Sequence, residues 1–441
     1  MVELNQSKER LSPGRRPGLL KDLEVKYAKS DKASIVSELR GLVKIDDGID
    51  LSVDLGGFAN RKNCVDEESY MDKLKKVSRV VTVDLIRKIL ESVEILEKSI
   101  VDVDLQEGSK LKKEIWQMKE VAHKLGLCGN VIVGNKSFEI HSLGNEVRAV
   151  KNVIYCNKTV CPRCAVYISG ERIEKLEPVL AKIIKEDQYN LFFVTFTLRH
   201  RKGAKFKNLK NALYKISAGM IRTRWFDKGV AGYVKNLEVT DGINGIHPHL
   251  HSIIALPKDI DAVEFARKVE TYWQKRAKKE GRSCDWSKMD GQWFKPVKMK
   301  NLEEVIRYFT AYKKPPQLKD YNILDEVVSS KQKDKNLWNM SPRAYCEVYK
   351  DSKGIRWYSS SGIFKVANKV EENSVIDVVN KDSKLGSVLL FEISGRDWKN
   401  LYLGDRFVIR DIVANRLLSD GECINRVKEI LDSYVQVHSL F

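Results

Sequence analysis

Apolar positions change their period several times along the chain, and each change marks a new element. Residues 1–65 mix charge, glycine and serine with little sustained periodicity. Helical spacing takes over from 70 to 124, where Val80, Val81, Leu85, Ile86, Leu90, Val93 and Leu96 form one stripe. Between 126 and 169 the pattern breaks into short apolar stretches, Val131-Ile132-Val133 and 150–155, punctuated by glycines and cysteines, which predicts a small β module. A helix is expected over 171–186 from Ile173, Leu176, Val179, Leu180 and Ile183, with a kink at Pro178. Residues 191–198, rich in Phe, Val and Thr, read as a strand. After a helix near 208–222 come two strands, 232–240 and 246–256, separated by the turn-prone Asp241-Gly242-Ile243-Asn244-Gly245 and therefore expected to pair as a hairpin. Residues 261–280, 301–313, 405–417 and 422–435 read as helices.

The order α-β-α-β-β-α-α in the middle of the chain predicts an α+β fold, one antiparallel sheet with helices packed on it. The segmentation that follows is a mostly helical accessory region at 1–125, a cysteine-rich module at 126–170, a core at 171–320 and a C-terminal region at 321–441 suited to DNA recognition or oligomerisation.

Charge narrows the partners. Lys and Arg total 78 against 60 Asp and Glu, a formal +18 over 441 residues, which favours polyanions. Hydrophobic residues at 43% and charged residues at 31% exclude disorder as the dominant state. No apolar run approaches the ~20 residues that cross a bilayer, and the charged first thirty residues carry no apolar leader segment, so a cytoplasmic, membrane-free protein is expected.

Three of the seven histidines lie in Ile246-His247-Pro248-His249-Leu250-His251. On a strand His247, His249 and His251 share one face and Leu250 takes the other. A turn centred between Ile243 and Asn244 sets Glu238 opposite His249 on the neighbouring strand. Two imidazoles and a carboxylate suit a divalent ion that polarises a phosphoryl oxygen. His247, at the strand entrance, is the outlying member.

On the helix expected over 301–313, Glu304, Tyr308 and Tyr312 fall four apart on one stripe. Alone this is what a solvated amphipathic helix carries; beside a metal-polarised phosphate a phenol becomes a nucleophile candidate. Cys156-x4-Cys161-x2-Cys164, with Cys128 upstream, offers four thiolates for a tetrahedral structural zinc, and Cys161-Pro162-Arg163-Cys164 resembles a zinc knuckle turn. Cys64, Cys284, Cys346 and Cys423 lack ligand spacing and read as ordinary core residues. Arg199, Arg201, Lys202, Lys205, Lys207 and Lys210 form a basic run after the first strand, suited to DNA, as are Arg307 and Lys313.

Together these segments resemble the rolling-circle replication initiators of small plasmids, within the HUH endonuclease superfamily. Phe193-Val194-Thr195-Phe196-Thr197-Leu198 is similar to the family's first strand motif, His247-Pro248-His249-Leu250-His251 to its metal-binding motif, and Glu304-Val305-Ile306-Arg307-Tyr308 to its nicking motif. The cysteines resemble a segment found ahead of the nuclease core in one branch, and Gly354-Ile355-Arg356-Trp357 with Ser361-Gly362-Ile363-Phe364-Lys365 resembles a segment beyond the tyrosine. The likeness covers about 126–366. It departs from the family at Ala311, where a Lys often follows the tyrosine by three residues, and Tyr308-x3-Tyr312 resembles the two-tyrosine members, so Tyr312 stays as the alternative nucleophile.

The resemblance implies an HUH core and a Mg- or Mn-dependent tyrosine endonuclease. Glu238, His249 and His251 would hold the metal. Tyr308 would form a 5′-phosphotyrosine and leave a 3′-hydroxyl primer, and Glu304 would activate water at termination. It further implies plasmid or viral origin DNA, single-stranded at the nick, and a host helicase and polymerase as partners. A non-catalytic zinc-containing DNA-binding regulator and an HUH transposase or relaxase are the competing readings; no Gly-x4-Gly-Lys-Ser/Thr phosphate loop occurs.

Overall fold

A computed structural model describes residues 70–100, 105–143, 148–284, 294–297, 337–365, 387–415 and 418–438. In chain order the elements are α1 (Tyr70–Ser99), α2 (Leu105–Leu127), β1 (Val131–Ile132), β2 (Phe138–Ser142), β3 (Arg148–Lys151), β4 (Val153–Ile154), α3 (Pro162–Glu186), β5 (Tyr189–Phe196), α4 (Phe206–Ile221) and α5 (Arg224–Gly229). They continue with β6 (Gly232–Gly242), β7 (Gly245–Pro257), α6 (Ala262–Lys279), β8 (Phe294–Pro296), α7 (Pro342–Asp351), β9 (Tyr358–Gly362), β10 (Val388–Ile393), α8 (Gly395–Asn400), α9 (Leu403–Ala414) and α10 (Asp420–His438). The fold is thus mixed helix and antiparallel sheet. Among the described residues no helix is long and apolar enough to cross a membrane.

The main sheet has the order β8-β5-β7-β6-β9, every pair antiparallel. Its hairpin β6–β7 closes at Ile243-Asn244, with Gly242 opposite Gly245 and Gly245 at φ 86°, a conformation that glycine enters without steric cost. Strand alternation then divides the side chains between two layers. One face sends Val194, Phe196, Leu237, Leu250 and Ile254 against Leu213 and Ile216 of α4 and Val269 and Trp273 of α6. The other sends Leu191, Phe193, Val234, Ile253 and Ala255 against Leu176, Leu180 and Ile183 of α3. That second apolar layer occupies only one end of its face. Beyond Phe193 and Ile253 the same face turns polar, toward the hairpin tip.

Two features differ from the reading of the sequence. α3 begins at Pro162, not at residue 171, because proline at the first helical position needs no hydrogen-bonded N–H and presets the helical φ. Cys161-Pro162-Arg163-Cys164 is therefore the first turn of a 25-residue helix and not a free-standing knuckle, and Pro178 lies inside that helix, which continues to Glu186. The sheet also takes its edge strand β9 from 358–362, beyond the 171–320 segment.

Gly362 ends that edge strand at φ 59°, paired with Gly232, and an added Cβ would run into the Ala231 carbonyl oxygen and lie 2.6 Å from Gly232 Cα. Gly362→Ala is expected to destabilise the fold by more than ~1 kcal/mol, since the backbone there is incompatible with alanine. A lowered urea midpoint at unchanged slope would report it; an unmoved midpoint would mean β9 is not locked to β6 at this turn.

α1 and α2 pack together, and α7 ties them to the sheet's helical layer through Arg343, which pairs with Glu114, and Glu347, which accepts from the Phe206 N–H at 2.8 Å. A second sheet, β10-β2-β3, carries the C-terminal helices: Trp398 stacks on Phe138 at 3.8 Å, and Arg148 bonds Asp420 at 2.7 Å and the Leu418 carbonyl.

Candidate active site and cysteine centre

The polar end of the sheet is built by alternation alone. Across β6 and β7 Glu238 stands opposite His249, Asn236 opposite His251 and Thr240 opposite His247, and Thr195 of β5 stands opposite His251 from the other side. All of these share one face. Glu238 Oε2 lies 2.5 Å from His251 Nε2 and 3.5 Å from His249 Nε2, and one ligand atom from each of the three residues falls within 4.8 Å of the others.

His251 is buried, and its ring stacks on Phe193 at 5.3 Å. Its Nδ1 meets Thr195 Oγ1 at 3.2 Å, which leaves Nε2 aimed at the carboxylate, the arrangement by which a hydrogen bond from behind orients a ligating imidazole. Two imidazoles and one carboxylate, one ring locked from behind, fit a divalent transition metal or Mg/Mn-type ion. His247 does not join them: its Nε2 lies 2.6 Å from Thr197 Oγ1, although its ring is 4.8 Å from that of His249.

The basic run divides. Arg199 N–H bonds the Ser283 carbonyl at 2.7 Å, an isolated bridge that ties the loop to the segment after α6. His200, which the sequence did not single out, lies with its ring 4.9 Å from that of His247, and burial, then the Arg282 charge, depresses its pKa. Nothing local marks His200 in the sequence; only the returning loop brings it there. Arg199, Arg201 and Lys202 are exposed beside it. Lys205 is exposed and reaches Glu347 at 3.5 Å, Lys207 is exposed and Lys210 is half-buried. Glu304, Arg307, Tyr308, Tyr312 and Lys313 lie outside the described residues.

The second centre gathers four cysteines from three elements. Cys128 follows α2, Cys156 follows β4, and Cys161 and Cys164 open α3. Their Sγ atoms approach at 3.4 Å (Cys128–Cys164), 3.5 Å (Cys156–Cys164) and 3.6 Å (Cys161–Cys128). A tetrahedral ion with Zn–S bonds of ~2.3 Å would set sulfurs roughly 3.8 Å apart, so the thiols need shift by only a few tenths of an ångström. The three companion thiols donate toward Cys128 and hold its pKa well below the ordinary thiol value.

Two buried guanidiniums converge on the same place. Arg163 donates to the Cys128 carbonyl at 2.7 Å, and Arg410 of α9 donates to Tyr155 Oη at 3.3 Å. A Cβ on Gly129 would lie 3.5 Å from Arg163 Nη1 and 3.6 Å from Arg410 Nη2. Buried arginines call for counter-charge, and four thiolates around a divalent ion carry a net double negative charge. The donor set and its surroundings therefore fit a closed metal site. Cys284, Cys346 and Cys423 are buried in the core, in no disulfide, and Cys64 lies outside the described residues.

No curated protein and no solved structure matches the chain. A family described as replication protein matches residues 147–394, more than half of the chain and a span that holds both β6–β7 and three of the four clustered cysteines. On that match the chain belongs to the replication protein family, which supports the role of an initiator of plasmid rolling-circle replication and implies binding to plasmid origin DNA.

Proposed function

We propose that the protein is a metal-dependent, site-specific tyrosine endonuclease and strand transferase of the HUH type that nicks the plasmid origin to start rolling-circle replication. The observation that carries this reading is the Glu238–His249–His251 cluster on one face of adjacent strands, next to the apolar layer under α3 and within the residues the family matches.

A divalent cation held by Glu238, His249 and His251 supplies Lewis-acid polarisation of a phosphoryl oxygen when bound. The Thr195 hydroxyl orients the His251 ring, and Arg199, Arg201 and Lys202 stand at the same end of the sheet for the DNA backbone. Tyr308 is the nucleophile: its oxygen bonds phosphorus as the P–O3′ bond breaks, giving a 5′-phosphotyrosine and a 3′-hydroxyl. Tyr312 is the alternative nucleophile. Glu304 serves as the base that activates water for the terminating cleavage. The four cysteines hold a structural zinc. The substrate is origin DNA, unpaired at the nick, with host helicase and polymerase acting next in the cytoplasm.

Incubation with origin-bearing supercoiled plasmid and Mn is the test. A nicked circle and a protein–DNA adduct are expected, the adduct lost in Tyr308→Phe; shifted mobility with no nick would leave a DNA-binding regulator. Glu304→Ala is expected to nick initially at the wild-type rate yet accumulate unterminated product, and normal termination by that variant would remove the assigned role.

A further inference from the structure

On the opposite face of the same hairpin, Lys235 of β6 is half-buried, and among the described residues no carboxylate pairs with it. Its Nζ donates to Ser217 Oγ of α4 at 3.4 Å and lies 5.7 Å from the Tyr214 ring and 6.0 Å from the Tyr233 ring. Register puts Ser252 of β7 on one side of Lys235 and Ser359 of β9 on the other, all pointing to one face. Ser359 Oγ is buried with no hydrogen-bond partner. Tyr214 Oη donates to the Arg356 carbonyl at 2.6 Å, which fixes the Arg356 segment against α4 at the rim.

A lysine is rarely buried without a partner, and a buried hydroxyl left unpaired costs free energy. An ammonium, a neighbouring guanidinium and hydroxyls from two strands and a helix are the donors that a tetrahedral oxyanion takes. Burial, then the Arg356 charge, pushes the free Lys235 down to about 8, the energetic mark of a cation awaiting an anion.

We infer that Lys235, Ser359 and Ser217, with Arg356 at the rim, form a second phosphate-binding niche that takes a backbone phosphate of the origin DNA at the β9 edge, on the face away from the histidines. This places DNA at the β9 edge of the sheet as well as at the histidine face. The inference rests on the DNA-binding role of the family and not on nicking, so a protein that binds but does not nick still tests it.

The experiment is anisotropy of the full chain with a labelled oligonucleotide, single-stranded and duplex, across a salt series. Lys235→Met is expected to lower the magnitude of the log K against log salt slope by ~0.7 on a single strand or ~0.9 on duplex, as for one lost phosphate contact. Lys235→Arg keeps the charge and is expected to keep the slope, which separates ligation from packing.

pH gives a second readout. Wild-type binding must take up a proton once pH passes about 8, so affinity falls as pH rises through that value. Lys235→Arg is expected to be flat there, since Arg356 stays charged and burial holds Tyr214 and Tyr233 above the ordinary phenol value. Equal slopes for wild type and Lys235→Met would overturn the niche. Inorganic phosphate bound by wild type and lost in Lys235→Met, with the DNA slope unmoved, would reassign it to a free anion and overturn the DNA assignment.

Discussion

Replacement of His251 by alanine is expected to abolish Mn-dependent nicking and to weaken Mn binding by more than ~100-fold, the upper end of what losing a hydrogen-bond partner behind a ligand costs. The ring is buried, stacked on Phe193 and tied to Thr195, so no neighbouring group among the described residues is placed to substitute for it. Its removal also strips Glu238 Oε2 of a partner at 2.5 Å. His249→Ala should act alike through the same carboxylate. Glu238→Gln separates ligation from folding: the amide still bonds His251, so the melting temperature is expected to hold while Mn affinity collapses. His247→Ala should leave Mn affinity within a few-fold of wild type, because that ring is engaged by Thr197 and not by the carboxylate. Calorimetric Mn titration beside the plasmid assay reads all four variants. Wild-type Mn affinity in both His249→Ala and His251→Ala would end the assignment of this cluster as the metal site.

The cluster was legible in the sequence because every step toward it is local. Strand periodicity puts alternate residues on one face, and a two-residue turn fixes register, so pairs summing to 487 follow once Ile243-Asn244 is taken as the tip; Glu238 does stand opposite His249. The helices at 206–221 and 262–279 and the strands of the hairpin fall within a few residues of their expected bounds for the same reason. What the sequence did not reveal depends on pairings between distant segments. β10 completes a sheet with β2 from some 250 residues upstream, β9 docks on β6 from over a hundred residues downstream, and Tyr345 and Trp338 seal the cysteine centre by donating to the Val160 carbonyl. Lys235 was invisible for this reason: it reads as one more strand lysine until Ser217, Ser252 and Ser359 arrive from three other elements. The start of α3 was misplaced because Cys161 and Cys164 suggested a turn, while Pro162 was in fact the first helical residue.

Removal of the metal from the cysteine centre is expected to unfold the region around it, including parts remote in sequence. Metal binding to a four-thiolate site contributes apparent folding free energy of ~10–16 kcal/mol in small zinc domains, as much as an entire domain's net stability. Here the centre joins the end of α2, the β1–β4 pair and the start of α3, and Arg410 brings α9 to it. Without the ion, Arg163 and Arg410 remain buried beside thiols that cannot all ionise, and a buried charge stripped of its partner costs about 3–5 kcal/mol. Chelation at neutral pH should therefore release about one zinc per chain, read by a colorimetric indicator. Amide exchange protection should fall together over 128–164 and 403–414, while β5–β7 holds longer under its own two apolar layers. Cys161→Ser should reproduce the effect without chelator. Arg410→Met, which leaves all four thiols in place, should weaken zinc retention by removing one compensating charge and should loosen α9 first. A chain that loses its zinc completely yet keeps its exchange protection in both segments would show that the cysteines pack as ordinary core and that the guanidiniums are balanced by something other than a metal–thiolate charge.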